Sequence, residues 1–374
     1  MMSSSQGCIR GTIVERYCLN KPSSSRQTWH IVIDITGGHL PFRPGDSIGV
    51  WPKNPEEIVR ELIRYFHLLP TTTIIDPRTQ QTALLRTYLE EVVDLNRVSS
   101  RFVELIGQTA MSHENRQEIC AAVAADRSFE GYDVLDFLRT FAPGGVAFED
   151  VSSGFLPIIP RLYSISSGPT RSVNCIDLTV GRVQYECDGR LRLGLCSNYL
   201  ISAPPHAASL RLFHQPSSHF AFPTTSDTPL VMIGSGTGVA PFRAYMQEVE
   251  MGAITPPPCW LFFGEQQRTT DFFYEEFWNA QVAAGRLRLD LAFSQDQEHK
   301  IYVQHRMWER RSELWQWLDD GAAILVCGNA KKMAKDVDAC LANIGVSEGS
   351  LSPEAALRFL RQLRHQGRYI RDVY

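Results

Sequence analysis

A glycine-rich segment, Gly234-Ser235-Gly236-Thr237-Gly238, follows an apolar run and precedes a helical pattern. Glycines let the backbone come close to a ligand, and the free N–H groups at the start of the following helix attract anions. The segment therefore predicts a site for a phosphate-bearing ligand. The alternative is a tight turn from strand to helix that binds nothing, because a glycine-rich turn alone is weak evidence.

Two further pairs of side chains could bind a ligand. Arg161 offers a fork of donors to a phosphate, and Tyr163 offers an aromatic ring for stacking. Lys300 and Tyr302 alternate in a segment that we expect to be extended, so both would face one side. The alternatives are a surface ion pair and a core aromatic for the first pair, and a solvated strand face for the second.

The composition of the 374 residues argues against several classes of protein. Lys plus Arg number 37 and Asp plus Glu 41, a net charge of −4, which excludes a basic nucleic-acid-binding surface as the organising feature. The nine cysteines include no C-x-x-C pair, so we expect no disulfide framework and no metal site. Because neither a membrane-spanning run nor a signal peptide is present, we expect no membrane partner and a cytoplasmic location.

The elements that must position these side chains fall into two patterns. Short strands are predicted at Trp29–Ile35, Leu162–Ile165, Cys175–Val180 and Leu210–Phe213. Between the first two, apolar residues recur at helical spacing over about 53–147. The first pattern is therefore an antiparallel β-structure with a helical insertion.

From about residue 228 strands and helices alternate. The strands are predicted at Leu230–Ile233, Trp260–Phe263, Leu287–Phe293 and Ala323–Cys327. Such alternation is typical of a doubly wound parallel sheet. We therefore predict an antiparallel β-barrel domain over 7–225, with the helical insertion inside it, and an α/β domain over 226–374.

Several segments of the chain carry a family resemblance, and they follow one another in that family's order: Arg161-Leu162-Tyr163-Ser164, Thr179-Val180-Gly181 with Tyr185, Gly194-Leu195-Cys196-Ser197, Gly234 to Arg243, Phe262-Phe263-Gly264 with Asp271 to Tyr274, Ser294 to Gln297, Lys300 to Gln304, Val326 to Asn329 with Lys335-Asp336, and Arg368 to Tyr374. Together they resemble the FAD- and NADP-binding module of the diflavin reductases, which are ferredoxin–NADP reductase-type flavoproteins. Within that family the sequence is most similar to the flavoprotein subunits of sulfite reductases.

The resemblance implies two sets of binding residues. It implies FAD contacts at Arg161, Leu162, Tyr163, Ser164, Thr179, Val180, Gly181, Tyr185, Gly194, Leu195, Cys196, Ser197 and Tyr374. It implies NADP contacts at Gly236, Thr237, Ser294, Gln295, Lys300, Ile301, Tyr302, Val303, Gln304 and Asp336.

Gln295 departs from the family, which usually has an arginine there to bind the ribose phosphate of NADPH. Glutamine is neutral and lacks the guanidinium fork, and charge-assisted hydrogen bonds are about twice as strong as neutral ones. We therefore expect a weaker preference for NADPH than in a typical member. Ser294 and Lys300 would retain phosphate affinity, so NADPH remains the favoured donor.

The resemblance also implies the catalytic residues. Ser164, Cys327 and Asp372 would position the nicotinamide against the flavin, and Tyr374 would cover the flavin face until the nicotinamide enters. The alternatives are a small core residue for Cys327, a solvated terminal carboxylate for Asp372 and a frayed tail for Tyr374.

The implied activity is that of an FAD-dependent oxidoreductase in electron transport, which takes a hydride from NADPH. Because the sequence begins close to the predicted barrel, we expect no FMN on this chain and a separate acceptor, either an FMN flavodoxin-like protein or a haem- or iron–sulfur-containing reductase subunit. Two alternatives remain open: a stand-alone reductase of flavodoxin or ferredoxin, and a catalytically weak FAD-binding scaffold subunit.

Overall fold

The computed structural model describes residues 8–35, 40–109, 116–117, 119, 121, 129, 131–171, 174–187, 189–206, 209–223, 227–330 and 332–374. The predicted domain limits at Gly7, Thr225 and Ser226 lie outside these residues.

The strands are β1 Ile9–Cys18, β2 Thr28–Asp34, β3 Ser47–Trp51, β4 Thr73–Ile75, β5 Thr82–Leu84, β6 Val93–Asp94, β7 Leu156–Pro157, β8 Arg161–Ser164, β9 Cys175–Gly181, β10 Gln184–Cys187, β11 Arg190–Leu193, β12 Ser209–Gln215, β13 Leu230–Ser235, β14 Cys259–Glu265, β15 Arg288–Phe293, β16 Ala323–Gly328 and β17 Tyr369–Val373. The α-helices are α1 Glu56–Tyr65, α2 Leu85–Glu91, α3 Ser100–Thr109, α4 Val134–Phe141, α5 Phe148–Val151, α6 Leu195–Ser202, α7 Ala240–Glu250, α8 Arg268–Asp271, α9 Glu275–Ala283, α10 Val303–Glu309, α11 Arg311–Asp319, α12 Met333–Ser347 and α13 Pro353–His365.

An antiparallel sheet in the order β8-β3-β12-β1-β2-β9 is closed into a barrel. Just beyond β8, Ile165 forms an antiparallel bridge with Leu178 of β9, so the two edges of the sheet meet. Closure removes the exposed edges that an open sheet would present. On β2, Ile31 and Ile33 alternate with less buried residues and face the core, as a strand with one buried face requires.

The five parallel strands form the order β15-β14-β13-β16-β17. Their central strand, β13, is buried along almost its whole length, which is the pattern of a sheet covered on both faces. The carboxyl ends of the strands lie at one edge of the sheet, where ligands bind in doubly wound folds. This edge carries the glycine-rich segment after β13 and the chain terminus after β17.

The helical insertion has a core of its own. Helix α1 buries Val59, Leu62 and Ile63, which recur at helical spacing, and the core also includes the rings of Phe102 and Phe137. The sequence predicted helices here, and the structure adds the short hairpin β4–β5. The hairpin β10–β11 is attached to the insertion by Arg192, which binds Asp133 at 2.9 Å.

The chain divides into two units, and the fold class predicted from the sequence is confirmed. Unit one consists of Met1–Gly49, Leu162–Gly181 and Pro204–Tyr374, and unit two of Val50–Arg161 and Arg182–Ala203. Among the described helices, none is long and apolar enough to cross a membrane. The cytoplasmic location stays a prediction.

Candidate functional site

The glycine-rich segment lies at the carboxyl end of β13, in unit one. It forms a 3₁₀ turn, Gly236–Val239, which leads into α7. A Cβ atom at Gly238 would lie 2.1 Å from the carbonyl oxygen of Cys327 on the neighbouring strand. Gly236 has a φ of +56°, in the left-handed region that favours glycine. Gly238 therefore lets the turn pack closely against the sheet, and Gly236 allows its left-handed backbone conformation.

Ser164, Cys327 and Asp372 lie together at the same edge of the sheet. Strands β16 and β17 pair in a register that sets Cys327 beside Asp372. The hydroxyl of Ser164 donates to Oδ2 of Asp372 at 3.4 Å. The structure thus brings together the three residues that the resemblance implied as catalytic, although they are distant in sequence.

Burial decides the protonation state of this cluster. Burial raises the pKa of the Cys327 thiol well above its usual value, and the neighbouring Asp372 carboxylate raises it further. Burial also raises the pKa of Asp372, while the hydrogen bond from Ser164 opposes that shift. Cys327 is therefore a protonated thiol at neutral pH and is not activated as a nucleophile.

The C-terminal residue is anchored. Backbone hydrogen bonds join Tyr374 to Gly328 and Ala330, and its hydroxyl lies 2.7 Å from the hydroxyl of Thr237. The residue nevertheless remains 62% exposed. A frayed tail is thus the wrong interpretation. The structure joins a predicted FAD residue directly to a predicted NADP residue.

Strand β9 carries the predicted residues Thr179, Val180 and Gly181. Gly181 approaches the glycine-rich turn, since a Cβ atom there would lie 3.5 Å from the Thr237 methyl group. Val180 is buried, and the hydroxyl of Thr179 lies 2.7 Å from the hydroxyl of Tyr274. The Thr179 hydroxyl is therefore engaged inside the protein, and the residue is buried and pairs with His30 of β2.

Behind Thr179 lies a buried polar network that the sequence analysis did not find. Arg243 Nη1 donates to the Asp177 carboxylate at 2.9 Å and to the Ser166 carbonyl at 2.7 Å. The Arg243 guanidinium also lies 4.5 Å from the centre of the Tyr274 ring. The only signal in the sequence was an arginine inside the apolar pattern after the glycines.

His30 completes this network. Its Nδ1 lies 3.1 Å from the Tyr274 hydroxyl, and its Nε2 lies 3.6 Å from Asp177. Burial lowers the pKa of His30 to about 4, although Asp177 opposes the shift. His30 is therefore neutral at pH 7, and the charge partners of Asp177 are Arg243 at 2.9 Å and Arg171 at 3.6 Å.

A second acidic residue, Glu265, stands beside the glycine-rich turn at the carboxyl end of β14. Its Oε1 would lie 3.2 Å from a Cβ atom at Gly236, and it forms an ion pair of 3.5 Å with Arg26. Burial raises the pKa of Glu265, whereas Arg26 lowers it. The sequence analysis did not single out Glu265.

The residues predicted for the adenosine phosphate follow β15. The N–H groups of Ser294 and Gln295 donate to the carbonyls of Glu265 and Gln266 at 2.9 and 2.7 Å. These bonds tie the loop after β15 to the loop after β14. The Gln295 side chain itself is exposed.

Lys300 and Tyr302 do not lie on a strand, although the backbone of Tyr302 is extended, with a φ of −114° and a ψ of 171°. Residues 300–302 belong to neither a strand nor a helix, and Tyr302 is the N-cap residue of α10. Its N–H donates to Nδ1 of His305 at 3.0 Å. A helix begins directly after Tyr302, so the alternation of a strand does not apply. Lys300 is exposed and Ile301 partly buried.

Helix α10 contributes two more predicted residues. Val303 is buried beneath the parallel sheet, and the Gln304 amide donates to the Asp336 carboxylate at 3.2 Å. Gln304 and Asp336 are thus brought together, whereas Val303 packs in the hydrophobic core.

In unit one, Leu162 and Tyr163 precede Ser164 on β8, and Leu162 is 55% exposed. In unit two, Arg161 is exposed at the start of the same strand, and Tyr185 lies on β10 opposite Arg192. The exposed Arg161 guanidinium is available to an anion.

Helix α6, also in unit two, begins after Gly194 and carries the predicted residues Leu195, Cys196 and Ser197. The Ser197 hydroxyl accepts from the Val183 N–H at 3.1 Å and donates to the Gly194 carbonyl at 3.2 Å. Cys196 is buried. Ser197 therefore fixes the entry to the helix, where free N–H groups of the first turn can face a phosphate.

Comparisons with known proteins show the family of the chain. The chain belongs to the family described as FAD binding domain, whose model matches residues 3–199, more than half of its length. A second model, described as an oxidoreductase NAD-binding domain, matches residues 232–339. The chain thus combines an FAD-binding and an NAD-binding domain, as the sequence analysis predicted.

Individual relatives extend over both domains. A sulfite reductase (NADPH) flavoprotein alpha-component of Bacillus subtilis is 35% identical over 370 residues, which are 98% of this chain and 61% of that protein. The components of the same name from Cronobacter sakazakii and an Escherichia coli O1:K1 strain are 37% identical over 94% of this chain and 58% of their own length. The chain therefore spans about three fifths of these relatives.

Proposed function

We propose that this chain is an NADPH-dependent FAD reductase, which takes a hydride from NADPH and passes electrons to a separate acceptor. The observation that carries the proposal is the cluster of Ser164, Cys327 and Asp372, next to the glycine-rich turn and the anchored Tyr374. It joins predicted flavin and nicotinamide residues at the edge where doubly wound sheets bind ligands.

The residues present fit FAD. Leu162 and Tyr374 in unit one expose large apolar surfaces, and a flavin could cover such groups. In unit two, Arg161 and the first turn of α6 offer donors to phosphate. We assign FAD binding to these residues and to the remaining ones that the resemblance implied.

The residues present also fit a nicotinamide dinucleotide. Gly236 and Gly238 carry no side chain of their own at the turn that leads into α7, where the backbone N–H groups of a helix start can bind a pyrophosphate. We assign binding of the adenosine phosphate to Ser294, Gln295, Lys300 and Tyr302. We assign contacts with the neighbouring part of the nucleotide to the Gln304–Asp336 pair. The buried Val303 would act by packing.

FAD, when bound, supplies the chemistry of accepting a hydride and releasing electrons singly. The protein's part is then to fix the donor in position. Asp372 is held by β17 and by Ser164, while Cys327 offers a neutral, compact thiol. We assign the positioning of the nicotinamide to these three residues and the covering of the flavin to Tyr374.

We propose a separate acceptor because the similar proteins are named as an alpha-component, a term that implies further components. An FMN flavodoxin-like protein or a haem-containing subunit fits this role. We further propose the division into an FAD-binding domain over 7–225 and an NADP(H)-binding domain over 226–374.

Anaerobic titration of the purified protein with NADPH and NADH, followed at the flavin absorption band, tests the proposal. We expect FAD to copurify and NADPH to bleach the band. A yellow protein that neither nucleotide bleaches would instead support the scaffold alternative. A protein that binds no FAD would contradict both.

A further inference from the structure

The proposed NADPH site lacks a cation at Gln295. A phosphate monoester carries nearly two negative charges at pH 7, and proteins bind such groups through arginine or lysine. The sequence analysis found only Lys300 for this role, and Lys300 is exposed. A second cation near this site would add to the charge of Lys300 and strengthen the preference for NADPH.

Lys332 lies directly beside a predicted phosphate residue. Its ammonium stands 5.1 Å from the centre of the Tyr302 ring, within the range of a cation–π contact. Its backbone N–H donates to Oδ1 of Asn329 at 3.1 Å, which fixes the start of the side chain between β16 and α12. The ring and the backbone bond thus hold this charge at Tyr302.

The ammonium of Lys332 is available to a ligand. The nearest acid along α12 is Asp336, which accepts from Gln304. Among the described residues, no ion pair involves Lys332, which is exposed. Lysine binds phosphate as a compact point charge and needs no fork geometry.

We propose that Lys332, seated on the Tyr302 ring, recognises the 2′-phosphate of NADPH and replaces the arginine that is absent at position 295. This inference rests on the proposed function, because it assigns a specificity residue to the proposed nucleotide site. Under this proposal Lys332 contributes to the binding of the 2′-phosphate and not to the binding of the adenosine.

Calorimetric binding of 2′,5′-ADP and of 5′-AMP to the FAD-containing protein isolates this contribution, because the two ligands differ only by the 2′-phosphate. We expect Lys332→Gln to weaken 2′,5′-ADP binding about fivefold, the size of an exposed charge pair. Binding of 5′-AMP should change by less than about twofold, and Lys332→Arg should retain most of the affinity. Added salt should weaken 2′,5′-ADP binding less in Lys332→Gln than in the wild type.

Arg361→Gln is the matched control, since it removes one positive charge from an exposed position on α13. Flavin content and circular dichroism report whether each variant folds. An unchanged affinity of Lys332→Gln for 2′,5′-ADP, or an equal loss for both ligands, would overturn the inference. A wild-type protein that binds neither ligand would instead contradict the proposed nucleotide site itself.

Discussion

At the scale of single residues, Gln295 is the departure that bears most directly on the choice of nicotinamide. Its exposed amide follows β15, with its backbone fixed to Gln266. We expect Gln295→Arg to raise the ratio of kcat/KM for NADPH over NADH about tenfold, because the gain from a charged donor is about 1.4 kcal/mol. Steady-state kinetics with both nucleotides measure this ratio.

The matched control for that change is Gln316→Arg, which adds the same charge at an exposed position on α11. It should leave the ratio unchanged. If the Gln295→Arg protein keeps the wild-type ratio as well, Gln295 does not belong to the phosphate site.

Tyr374 provides a second test at this scale. Its ring is exposed while its hydroxyl is held at Thr237, as expected of a ring that covers a ligand and moves aside. We expect Tyr374→Ala to raise kcat/KM for NADH, because the nicotinamide no longer has to displace the ring. The measurement is steady-state kinetics with NADH.

Tyr374→Phe separates the ring from its hydroxyl bond. It keeps the covering ring and loses only the contact with Thr237, so its NADH kinetics should stay near those of the wild type. Identical NADH kinetics for Tyr374→Ala and the wild type would mean that the ring does not cover the flavin.

The sequence indicated which residues form the cluster, but not the strand register and hydrogen bonds that connect them. The motif resemblance named Ser164, Cys327 and Asp372, and the register of β16 with β17 then explains why they meet. Thr179 could not be interpreted in this way, because its hydroxyl bonds to Tyr274, a residue 95 positions away. Local patterns carry no information about such long-range partners.

At the scale of elements, strong periodicity made the central strands and amphipathic helices predictable. The segment around Phe273 shows where periodicity fails to predict the elements. The alternation of strands and helices predicts one helix after β14, but the structure has two short ones: α8 ends at Asp271, and Tyr274 adopts a φ of +57° before α9. A tyrosine rarely adopts this conformation, and its buried contacts with Thr179 and His30 hold it there.

The network around His30 joins β2, β9, α7 and the start of α9, and it predicts a defined response to acid. The unfolded chain takes up a proton on His30 near pH 6.5, whereas the folded chain does so only near pH 4. Stability should therefore fall as the pH drops through this window, by about 3 kcal/mol in total. Asp177, Arg243 and Arg171 are the charges that act on this histidine.

His30→Asn removes this titration. We expect its Tm to depend less on pH between about 6.5 and 4 than that of the wild type, with a loss at pH 7 of about 1 kcal/mol for the bond to Tyr274. Thermal melts across this range measure the difference. His365→Asn, at an exposed position on α13, is the matched control for the loss of a histidine, and a wild-type slope for His30→Asn would refute the role of His30.

At the scale of the whole molecule, a clasp of hydrogen bonds within unit one joins the barrel to the end of α8. Asn20 and Ser24, between β1 and β2, both donate to the carboxylate of the buried Asp271 at 2.7 and 2.6 Å. Asp271 also accepts from the N–H of Gln267 at 3.1 Å, next to Gln266, whose carbonyl accepts from the N–H of Gln295. The pattern of apolar residues predicted two kinds of fold. It could not predict this contact, because the contact depends on short polar segments that have no periodicity.

The proposed flow of electrons gives a last prediction. A small acceptor such as ferricyanide needs no docking surface, so NADPH should reduce it with the purified chain alone. Reduction of cytochrome c should rise when a flavodoxin is added, because the FMN protein would carry electrons between the two. Asp372→Asn should slow both reactions alike, since it acts at the shared hydride step. If cytochrome c reduction is equally fast without the flavodoxin, the chain does not depend on a separate FMN carrier for delivery.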